Sequence, residues 1–307
     1  MNLTLLAQQT VNALTLGAIY ALIALGYTMV YGIIELINFA HGDIFMMGSF
    51  VAYYMLTTLG ITGAISNPIV FALVLLATFL VSMLVMGTVG VIVERFAYRP
   101  LRHAPRLAPL ITAIGVSFIL QNIAQILFGS APVGVPQLIN IQSAVVVVGV
   151  SVKYTSIFIL ALTLALMGAL QFFVTRTNLG RAMRSTAQDR EAAQLMGVDI
   201  NTTIALTFFI GSALAGAAGV VQGLYFGNTV FNVGFEAGLK AFTAAVIGGI
   251  GNTTGAALGG FVIGFIEVFA TQAGYSNWSE AIVFGILILV LVFRPTGLLG
   301  QQTPERA

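Results

Sequence analysis

The chain has 307 residues, of which 58% are hydrophobic and only 7% are charged, and its mean hydropathy is +1.00. A soluble domain carries roughly 25% charged residues, so this composition excludes a soluble fold and indicates an integral membrane protein. The 12 basic and 10 acidic residues give a net charge of only +2, which does not indicate nucleic-acid binding, and the absence of cysteine excludes disulfides, thiolate metal sites and a cysteine nucleophile.

Long uncharged segments predict membrane-spanning helices. Residues 44–93 contain fifty consecutive residues without a charge, about 75 Å of helix, which is enough for two crossings of a hydrocarbon core about 30 Å thick. These segments lack the period-two alternation of transmembrane barrel strands. We therefore predict an all-α, polytopic integral membrane bundle that forms a single transmembrane domain over residues 1–307.

The first predicted span covers about residues 10–34. The N-terminus lacks the basic region and cleavage pattern of a signal peptide, so we expect the chain to enter this span from the outside. A polar turn, INFAHGDIF, follows and interrupts an otherwise uncharged stretch; its polar residues, with one just upstream, are Glu35, Asn38, His41 and Asp43.

Two interpretations of this turn remain open. In the first, Asn38 or Asp43 caps the next helix, because helix N-termini need side-chain acceptors. In the second, the turn lies on the cytoplasmic side or re-enters the bundle, and its four polar side chains make gating contacts, because polar groups at membrane depth are costly and therefore functional candidates.

Arginine positions orient the remaining spans. Ten of the twelve basic residues fall in three clusters, which the positive-inside rule places in the cytoplasm: Arg95, Arg99, Arg102 and Arg106; Arg176, Arg181, Arg184 and Arg190; Arg294 and Arg306. Lys153 and Lys240 are expected outside or at an interface. The predicted crossings then run alternately outward and inward over residues 44–59, 68–93, 109–129, 155–175 and 203–225. The Pro- and Val-rich residues 130–155 are predicted to form an external loop with some extended structure.

The last third of the chain requires a broken helix. If residues 227–238 are outside and Arg294 is inside, residues 239–293 must cross an odd number of times. Residues 281–293 supply one inward crossing, so residues 239–271 must enter and return. The first arm has only about 12 residues, roughly 18 Å, which is too short to span. We therefore predict a broken or re-entrant pair at membrane depth, and about eight to nine membrane segments in all.

The turn of this pair falls in GGIGNTTG. Because the ends of half-helices expose dipoles and unpaired backbone groups, its residues are the best pathway candidates: Gly248, Gly249, Gly251 and Asn252. Glycines spaced i, i+4 predict close helix packing along two ridges, one formed by Gly251, Gly255 and Gly259 and the other by Ala256, Gly260 and Gly264.

Ionisable residues flank the turn. Glu267 lies between apolar neighbours, and we expect it either to bond to a polar group on a neighbouring helix or to face the aqueous path. Glu236 and Lys240 have the i, i+4 spacing of an intrahelical pair and are expected to support one helix.

The second arginine cluster lies in a loop, residues 176–200, that is predicted to be cytoplasmic. A short helix is expected from about Gly180 to Met196, with Thr177 or Asn178 at its start and Gly197 beyond its end. Asp199 and Thr202 are expected to cap the next span. This helix is either interfacial, with arginines at lipid headgroups, or a docking helix for a cytoplasmic partner.

Motifs for enzymatic chemistry are absent from the sequence. Neither lysine lies in a Gly-Lys-Ser/Thr P-loop, and GGIGNTTG is not surrounded by the βαβ unit of a dinucleotide site. The chain has no HExxH or GxSxG motif. We therefore predict no catalytic residues, no metal site and no cofactor in this chain.

Several motifs resemble a known family. EAAQLMG, residues 191–197, is similar to the EAA-x3-G signature of ABC importer permeases, although the Ile-x-Leu-Pro ending is missing. Over nearly the full length, the chain resembles the LivH-type permeases of branched-chain amino acid ABC importers. The segments that carry this resemblance are INFAHGDIF, ERFAYRPLR, LITAIGVSFILQN, LGRAMRSTAQD, GLKAFTAAVIGGIG and RPTGLLG.

The resemblance implies an assembly in the bacterial cytoplasmic (inner) membrane. This chain would pair with a second, homologous permease, bind two cytoplasmic ABC ATPases that hold ATP and magnesium, and receive leucine, isoleucine or valine from a periplasmic binding protein. Its N-terminus would lie outside and its C-terminus in the cytoplasm. The residues implied in coupling to the ATPases are Gly180, Arg181, Arg184, Glu191, Ala192, Ala193 and Gly197. The alternatives are a permease for urea or short amides and an ATP-independent secondary transporter or channel.

Overall fold

A computed structural model describes residues 3–102, 104–105, 107–138, 144–147 and 149–300. The described chain is a helical bundle, as predicted. Its helices are α1 (Leu3–Ile34), α2 (His41–Thr58), α3 (Pro68–Val93), α4 (Leu107–Phe128), α5 (Tyr154–Arg176), α6 (Asn178–Gln188), α7 (Arg190–Leu195), α8 (Ile200–Phe226), α9 (Val233–Gly248), α10 (Thr253–Gln272) and α11 (Ser279–Phe293). A π-helical turn (Glu94–Tyr98) and a 3-10 turn (Arg99–Leu101) extend α3, and a second 3-10 turn (Ser276–Trp278) precedes α11.

The described connections contain four short strands. Strands β2 (Ala144–Val147) and β3 (Val150–Lys153) form an antiparallel hairpin within the predicted external loop. Strand β1 (Val133–Gly134) pairs antiparallel with β4 (Asn228–Thr229). The predicted extended structure before α5 is therefore confirmed in the described residues.

Local signals place the helix ends close to the predicted span limits. Helix α3 begins at Pro68 because Asn67 accepts hydrogen bonds from the backbone N–H groups of Ile69 and Val70. Asp199 caps α8 in the predicted way, by accepting from the backbone of Asn201 and Thr202. The hydroxyl of Thr202 also donates to Asp199 and lowers the pKa of that carboxyl, so the cap is charged at neutral pH.

The bundle has two ends, which we name by their contents. The hairpin end carries β2 and β3, and Gln8 in the first turns of α1 bonds to the backbone of Ser151 there. The arginine end carries α6 and α7, and Arg102 donates to Asn201 at the start of α8 at 2.7 Å. The described arginine clusters gather at this second end, which the positive-inside rule predicts to be cytoplasmic.

Seven of the described helices are long and apolar enough to cross a membrane: α1, α3, α4, α5, α8, α10 and α11. Helices α2 and α9 are shorter or less apolar than these seven. Together with the seven, they make up the predicted eight to nine segments. The most apolar stretch of α1 is 89% buried and that of α8 is 78% buried, whereas the value for α11 is 11%. Helices α1 and α8 thus form the centre, and α3, α4, α5 and α11 form an outer ring with apolar exposed faces such as Leu84 and Ile126.

Glycines allow α10 to pack tightly on two sides. A side chain on Gly260 would overlap Ala21 of α1, and one on Gly259 would overlap the backbone of Ala244 in α9. The close packing predicted from the i, i+4 spacing is therefore confirmed for these positions. Gly251 is the exception, because it precedes α10, has a φ of +90° and lies in the turn.

The predicted break needs correction. Helix α9 begins at Val233 and has 16 residues, about 24 Å, so its first half occupies part of the segment that was predicted to be an external loop. The turn that follows lies at the arginine end, where Gly251 lines a cavity together with Arg184. The turn therefore lies at the end of the bundle, and the interruption inside the bundle is the start of α9.

The predicted single helix in the loop 176–200 is also corrected. Thr177 accepts from the N–H of Gly180 and starts α6, as one of the two alternatives proposed. At Asp189 the backbone becomes extended, with φ −157° and ψ 110°, and the Asp189 carboxylate caps a second helix, α7. Aspartate competes for helix caps, so it divides the segment into two helices. We call residues 177–199 the α6–α7 segment.

Candidate functional site

Helix α2 begins inside the bundle. The ring of His41, its first residue, packs on Gly26 and against Tyr27 of α1, with ring centroids 4.6 Å apart. Gly26 lies eight residues before the end of α1, about 12 Å along the helix axis. The chain therefore turns back into the bundle after α1, so the re-entrant form of the predicted turn is the one observed.

The start of α9 lies beside the start of α2. A side chain on Gly42 would lie 2.7 Å from the Cα of Gly238, and one on Gly234 would lie 2.8 Å from the Cα of Asp43. The first turns of α2 and α9 thus meet within the bundle. The N–H groups of a first helical turn are unpaired and partly positive. Discontinuous helices with this arrangement are typical of substrate sites in transporters.

Asp43 is fully buried at this junction. Ser117 of α4 donates a short hydrogen bond to its Oδ2 atom, and Gln121 of α4 donates to Ser117 at 3.2 Å. The Oδ1 atom has no hydrogen-bond partner among the described residues and faces Gly234 of α9. Asp43 does not cap α2, because its side chain turns away from its own backbone toward α4.

The other residues of the predicted polar turn have separate positions. Asn38 is buried and accepts at 3.0 Å from the hydroxyl of Tyr98; it does not cap α2 with its side chain, since the cap residue is Ala40. Neither ring nitrogen of His41 makes a hydrogen bond of normal geometry, although the carbonyl of Ile23 is nearby. Glu35 is exposed at the arginine end, with a φ of +55°. The capping interpretation is therefore wrong, and the turn residues do not form one cluster.

Helices α2 and α4 pack against each other between Asp43 and the hairpin end. Met46 and Phe50 of α2 form a buried cluster with Ala124 of α4, and Phe50 stacks on Phe128 with centroids 4.4 Å apart. Beyond this stack is a cavity of about 680 Å³, lined by Tyr53, Tyr54, Thr57, Leu127, Phe128 and Val133.

Glu267 joins three helices. It accepts from the hydroxyl of Tyr20 on α1 at 2.7 Å and from Nζ of Lys240 on α9 at 2.8 Å. Lys240 also lies 3.5 Å from Glu280 at the start of α11. The predicted pair of Glu236 and Lys240 is not formed, because Lys240 turns inward to α10 while Glu236 remains exposed. Of the two roles expected for Glu267, bonding to neighbouring helices is the one observed.

The glycine-rich turn after α9 is covered by the chain itself. The N–H groups of Leu298 and Leu299 donate to the carbonyls of Ile247 and Gly248, at 2.8 and 3.0 Å. Asn252 caps α10 and also donates to the Leu299 carbonyl at 2.9 Å. Backbone groups that the sequence analysis expected to be unpaired are thus occupied by the segment that follows α11. Gly249, with a φ of +106°, packs directly against Gly300.

The α6–α7 segment projects from the arginine end. Gly180 packs against the backbone at the end of α5, and Arg184 donates to the carbonyl of Val174 there. Arg181 bonds only locally, to Asn178. Ala193 is buried and anchors α7. The segment is therefore held on the bundle by its helix ends.

The tip of this segment is apolar and exposed. Glu191 and Ala192 are exposed in the first turn of α7, where their N–H groups bond to Asp189. Leu195 is 88% exposed and Met196 is 85% exposed, and Gly197 ends α7 with a φ of +87°. The sequence analysis assigns no role to these two side chains. Their only indication in the sequence is their position between Asp189, which starts α7, and Gly197, which ends it.

The contact that Arg190 makes is likewise not predicted from the sequence, which places this residue only in an arginine cluster. Its Nη2 atom donates to the carbonyls of Ile34 and Ile33, at 3.0 and 3.3 Å. These are the last two residues of α1, whose terminal carbonyls have no intrahelical partner. Arg190 thus ties α7 to the central helix. A polar cavity of about 290 Å³ lies beside this contact, between the junction of α6 and α7 and the ends of α1 and α3.

Comparison with known proteins gives consistent matches along the chain. A family model described as the permease component of the branched-chain amino acid transport system matches residues 9–292. The chain is similar to high-affinity branched-chain amino acid transport system permease proteins, over 97% of both chains in each case: BraD of Pseudomonas aeruginosa, 46% identical, LivH of Escherichia coli K12, 42% identical, and LivH of Salmonella typhimurium, 41% identical. No solved structure matches the chain significantly.

Proposed function

Since this chain belongs to the family of permease components of branched-chain amino acid transport systems, we propose that it is the permease subunit of an ATP-driven ABC importer for leucine, isoleucine and valine. The chain forms a helical path through the membrane, and separate subunits hydrolyse ATP. The alternatives of a urea or amide permease and of an ATP-independent carrier have no support from the matched relatives.

The observation that carries this proposal is the exposed tip of the α6–α7 segment. Leu195 and Met196 present large apolar side chains on the side where the arginines gather, and such exposed groups favour a protein contact. The chain has no P-loop of its own. An ATPase subunit that receives the tip in a groove would supply the missing nucleotide site and its magnesium.

The proposed assembly has partners on three sides. A second, homologous permease packs against the outer ring, two ATPases bind the arginine ends, and a periplasmic binding protein delivers the amino acid to the hairpin end. In this arrangement the N-terminus is outside and the C-terminus is in the cytoplasm. ATP binding changes the transport state only if the nucleotide has different affinities for the two states.

A reconstitution experiment tests the proposal. The chain, a second permease and the ATPases are placed in liposomes with ATP and magnesium on the ATPase side and the leucine-loaded binding protein on the other. We expect uptake of labelled leucine that depends on ATP and is inhibited by excess isoleucine or valine but not by urea. Uptake by this chain alone, driven by an ion gradient without ATP, would overturn the proposal.

A pair of variants tests the docking tip. Leu195→Asp removes an apolar contact and is expected to reduce co-purification of the ATPase at least about tenfold, the effect of about 1.4 kcal/mol. The matched control is Gln194→Asp, which adds the same charge at the neighbouring exposed position. Equal loss in both variants would point to a charge effect and against docking through Leu195.

A further inference from the structure

The polar cavity beside Arg190 is enclosed by several elements at the arginine end. It lies between the junction of α6 and α7, the ends of α1 and α3, and the first turns of α4 and α8. Its volume of about 290 Å³ is close to the lower limit of roughly 300 Å³ for small-molecule sites. The cavity therefore has room for a ligand of the size of one amino acid.

Two oppositely charged side chains line this cavity without forming an ion pair. Neither Arg190 nor Glu35 takes part in an ion pair among the described residues. Of the other charged residues in the lining, Arg102 pairs with Glu94, and the Asp189 side chain caps α7. The cavity thus presents one cation and one anion to a ligand that carries both charges.

The Arg190 guanidinium is held in place but not neutralised. Its Nη2 atom donates to the carbonyls of Ile33 and Ile34, and a guanidinium has five N–H donors in all. Carbonyl acceptors fix the group and leave its full charge. A planar, fixed guanidinium is well suited to a carboxylate, which it binds through two parallel hydrogen bonds.

Glu35 reaches the cavity from an unfavourable backbone conformation. Its φ of +55° is the one positive value of a non-glycine residue in the described part of the chain. The residue follows the end of α1, at a position where glycine is usual. A side chain kept in such a conformation indicates a functional role for that side chain.

The cavity also has an apolar wall. Leu36 follows Glu35, and Ile204 and Phe208 lie one turn apart on α8. One cation, one anion and an aliphatic and aromatic wall correspond to the three parts of a zwitterionic amino acid with an apolar side chain.

From this arrangement, we propose that the cavity is a cytoplasm-facing regulatory site that binds branched-chain amino acids and slows their uptake when they accumulate in the cell. The carboxylate binds Arg190, the ammonium group binds Glu35, and the aliphatic chain lies against Leu36 and Ile204. This inference deepens the proposed function and rests on it, since the ligand is the transported amino acid and the orientation follows from the arginine end.

The position of the cavity gives the sign of the effect. A ligand there contacts α7 through Arg190 and the end of α1 through Glu35, so it stabilises the arrangement of the α6–α7 segment in which the cavity is formed. A ligand that favours one state lowers the population of the others. Because a transport cycle has to pass through more than one state, we expect binding to slow it.

The absence of native cysteine allows a direct test of binding. Gln188→Cys lies in the exposed part of the cavity lining, and Arg176→Cys, at the exposed end of α5 and outside the lining, is the control. The assembled complex is treated with a small water-soluble thiol reagent, without ATP or binding protein, and modification is measured by mass spectrometry. We expect leucine to slow modification at position 188 at least threefold and to leave position 176 unchanged.

Two analogues test the charged contacts in the same assay. The compound 3-methylbutylamine lacks the carboxylate and 4-methylpentanoate lacks the ammonium group, so each is expected to protect position 188 only at concentrations at least about tenfold higher. Equal protection by leucine and both analogues would overturn the zwitterion assignment. Equal rates with and without leucine, or no modification at position 188, would overturn the site.

The regulatory effect is measured in liposomes that carry the complex with its ATPases facing the lumen. The lumen contains ATP, magnesium and either no leucine or unlabelled leucine at the concentration that protects position 188. We expect lumenal leucine to slow the initial uptake of labelled leucine and the hydrolysis of ATP at least threefold. Protection without this inhibition would overturn the regulatory role.

Glu35→Gln tests the ammonium contact in these liposomes. The variant keeps the size of the side chain and removes its charge, so we expect half-maximal inhibition to need about three- to tenfold more lumenal leucine. Glu236→Gln, at an exposed acid outside the cavity, is expected to respond as the wild type does. A wild-type response in Glu35→Gln would overturn the contact. Arg190 is not substituted here, because it also ties α7 to α1.

The two proposals fail in different ways. If the wild-type complex takes up no leucine with ATP, the proposed function fails, while protection at Gln188→Cys still decides whether the cavity binds the amino acid. If the wild type transports leucine and leucine gives no protection, only the regulatory site fails. If Glu35→Gln does not assemble with its partners, the two analogues decide the charged contacts.

Discussion

The lack of a Cβ atom at glycine decides how closely the starts of α2 and α9 approach each other. At Gly42 the backbone of α2 lies against Gly234 and Gly238 of α9, and at Gly26 the backbone of α1 lies against the ring of His41. No Cβ fits at either place without a shift of backbone or of an enclosed ring. The polar turn is therefore specified as much by its glycines as by its charged residues.

Gly42→Ala is expected to destabilise the protein. A methyl group would lie 2.7 Å from the Cα of Gly238, and overpacking of this kind costs about 1–3 kcal/mol, more than the helix propensity that alanine adds. The measurement is thermal unfolding of the purified complex. Gly168→Ala in α5, where a Cβ meets nothing within 4 Å, should leave the midpoint unchanged or slightly raised; a similar decrease in both variants would contradict the packing argument.

Glu267→Gln is expected to destabilise the bundle by about 3 kcal/mol or more, because breaking one side of an enclosed ion pair leaves the other charge poorly paired. Lys240 would retain only Glu280, at 3.5 Å. Denaturant unfolding of the detergent-solubilised complex measures the change. Glu236→Gln is the control at an exposed acid on the same helix as Lys240; if it costs as much as Glu267→Gln, the buried pair is not the source of the stability.

At the scale of elements, the α6–α7 segment is fixed to three membrane helices. Arg184 bonds to the end of α5, Arg190 bonds to the end of α1, and Asp199 caps α8. The first two contacts occupy terminal carbonyls that have no intrahelical partner. We therefore expect a displacement of the segment to act on α1, which packs against the start of α2 at Gly26.

Arg190→Ala is expected to weaken coupling between ATP hydrolysis and transport. Without its guanidinium, α7 loses its bonds to Ile33 and Ile34, so movement of the tip is no longer transmitted to α1. We expect the leucine taken up per ATP hydrolysed to fall several-fold while hydrolysis continues, with Arg190→Lys intermediate. Arg176→Ala, at the exposed end of α5, is the control. An unchanged ratio in Arg190→Ala would contradict the role.

At the scale of the whole molecule, the bundle has an enclosed centre and an exposed apolar ring. Helices α1 and α8 are buried by the protein itself, whereas α3, α4, α5 and α11 present their hydrophobic side chains outward. A lipid bilayer is a surrounding that this ring fits, and under the proposed function part of the ring also packs against a second permease. The two ends differ in charge, since the described arginine clusters gather at one of them, and this difference predicts the orientation.

Two cysteine variants test the orientation. Met196→Cys lies at the tip of the α6–α7 segment, and Lys153→Cys lies at the end of the β2–β3 hairpin; both positions are exposed. In spheroplasts, a membrane-impermeant maleimide is expected to label position 153 from outside and to label position 196 only after the membrane is opened. Labelling of position 196 in intact spheroplasts would reverse the predicted topology.

The sequence by itself determined the class of protein, most of the span limits and the family. Composition and long uncharged segments suffice for an all-α membrane fold, and local signals such as Asn67, Pro68, Thr177 and Asp199 stop and start helices through short-range hydrogen bonds. These features depend on neighbours in the chain, so they are visible without a structure. One local feature differs from the prediction: the sequence predicts a single helix through Asp189, whereas the Asp189 side chain caps α7 and divides the α6–α7 segment.

Only the tertiary structure decided where the polar groups go. Asp43 bonds to Ser117, and Lys240 pairs with Glu267 and not with Glu236. Arg190 bonds to the end of α1, and residues 298–299 bond to the turn after α9. Each of these contacts joins residues far apart in the chain, and a burial pattern along one helix does not identify the partner. The depth at which α2 and α9 begin has the same origin, because it is set by glycine-to-glycine packing between helices and not by hydropathy.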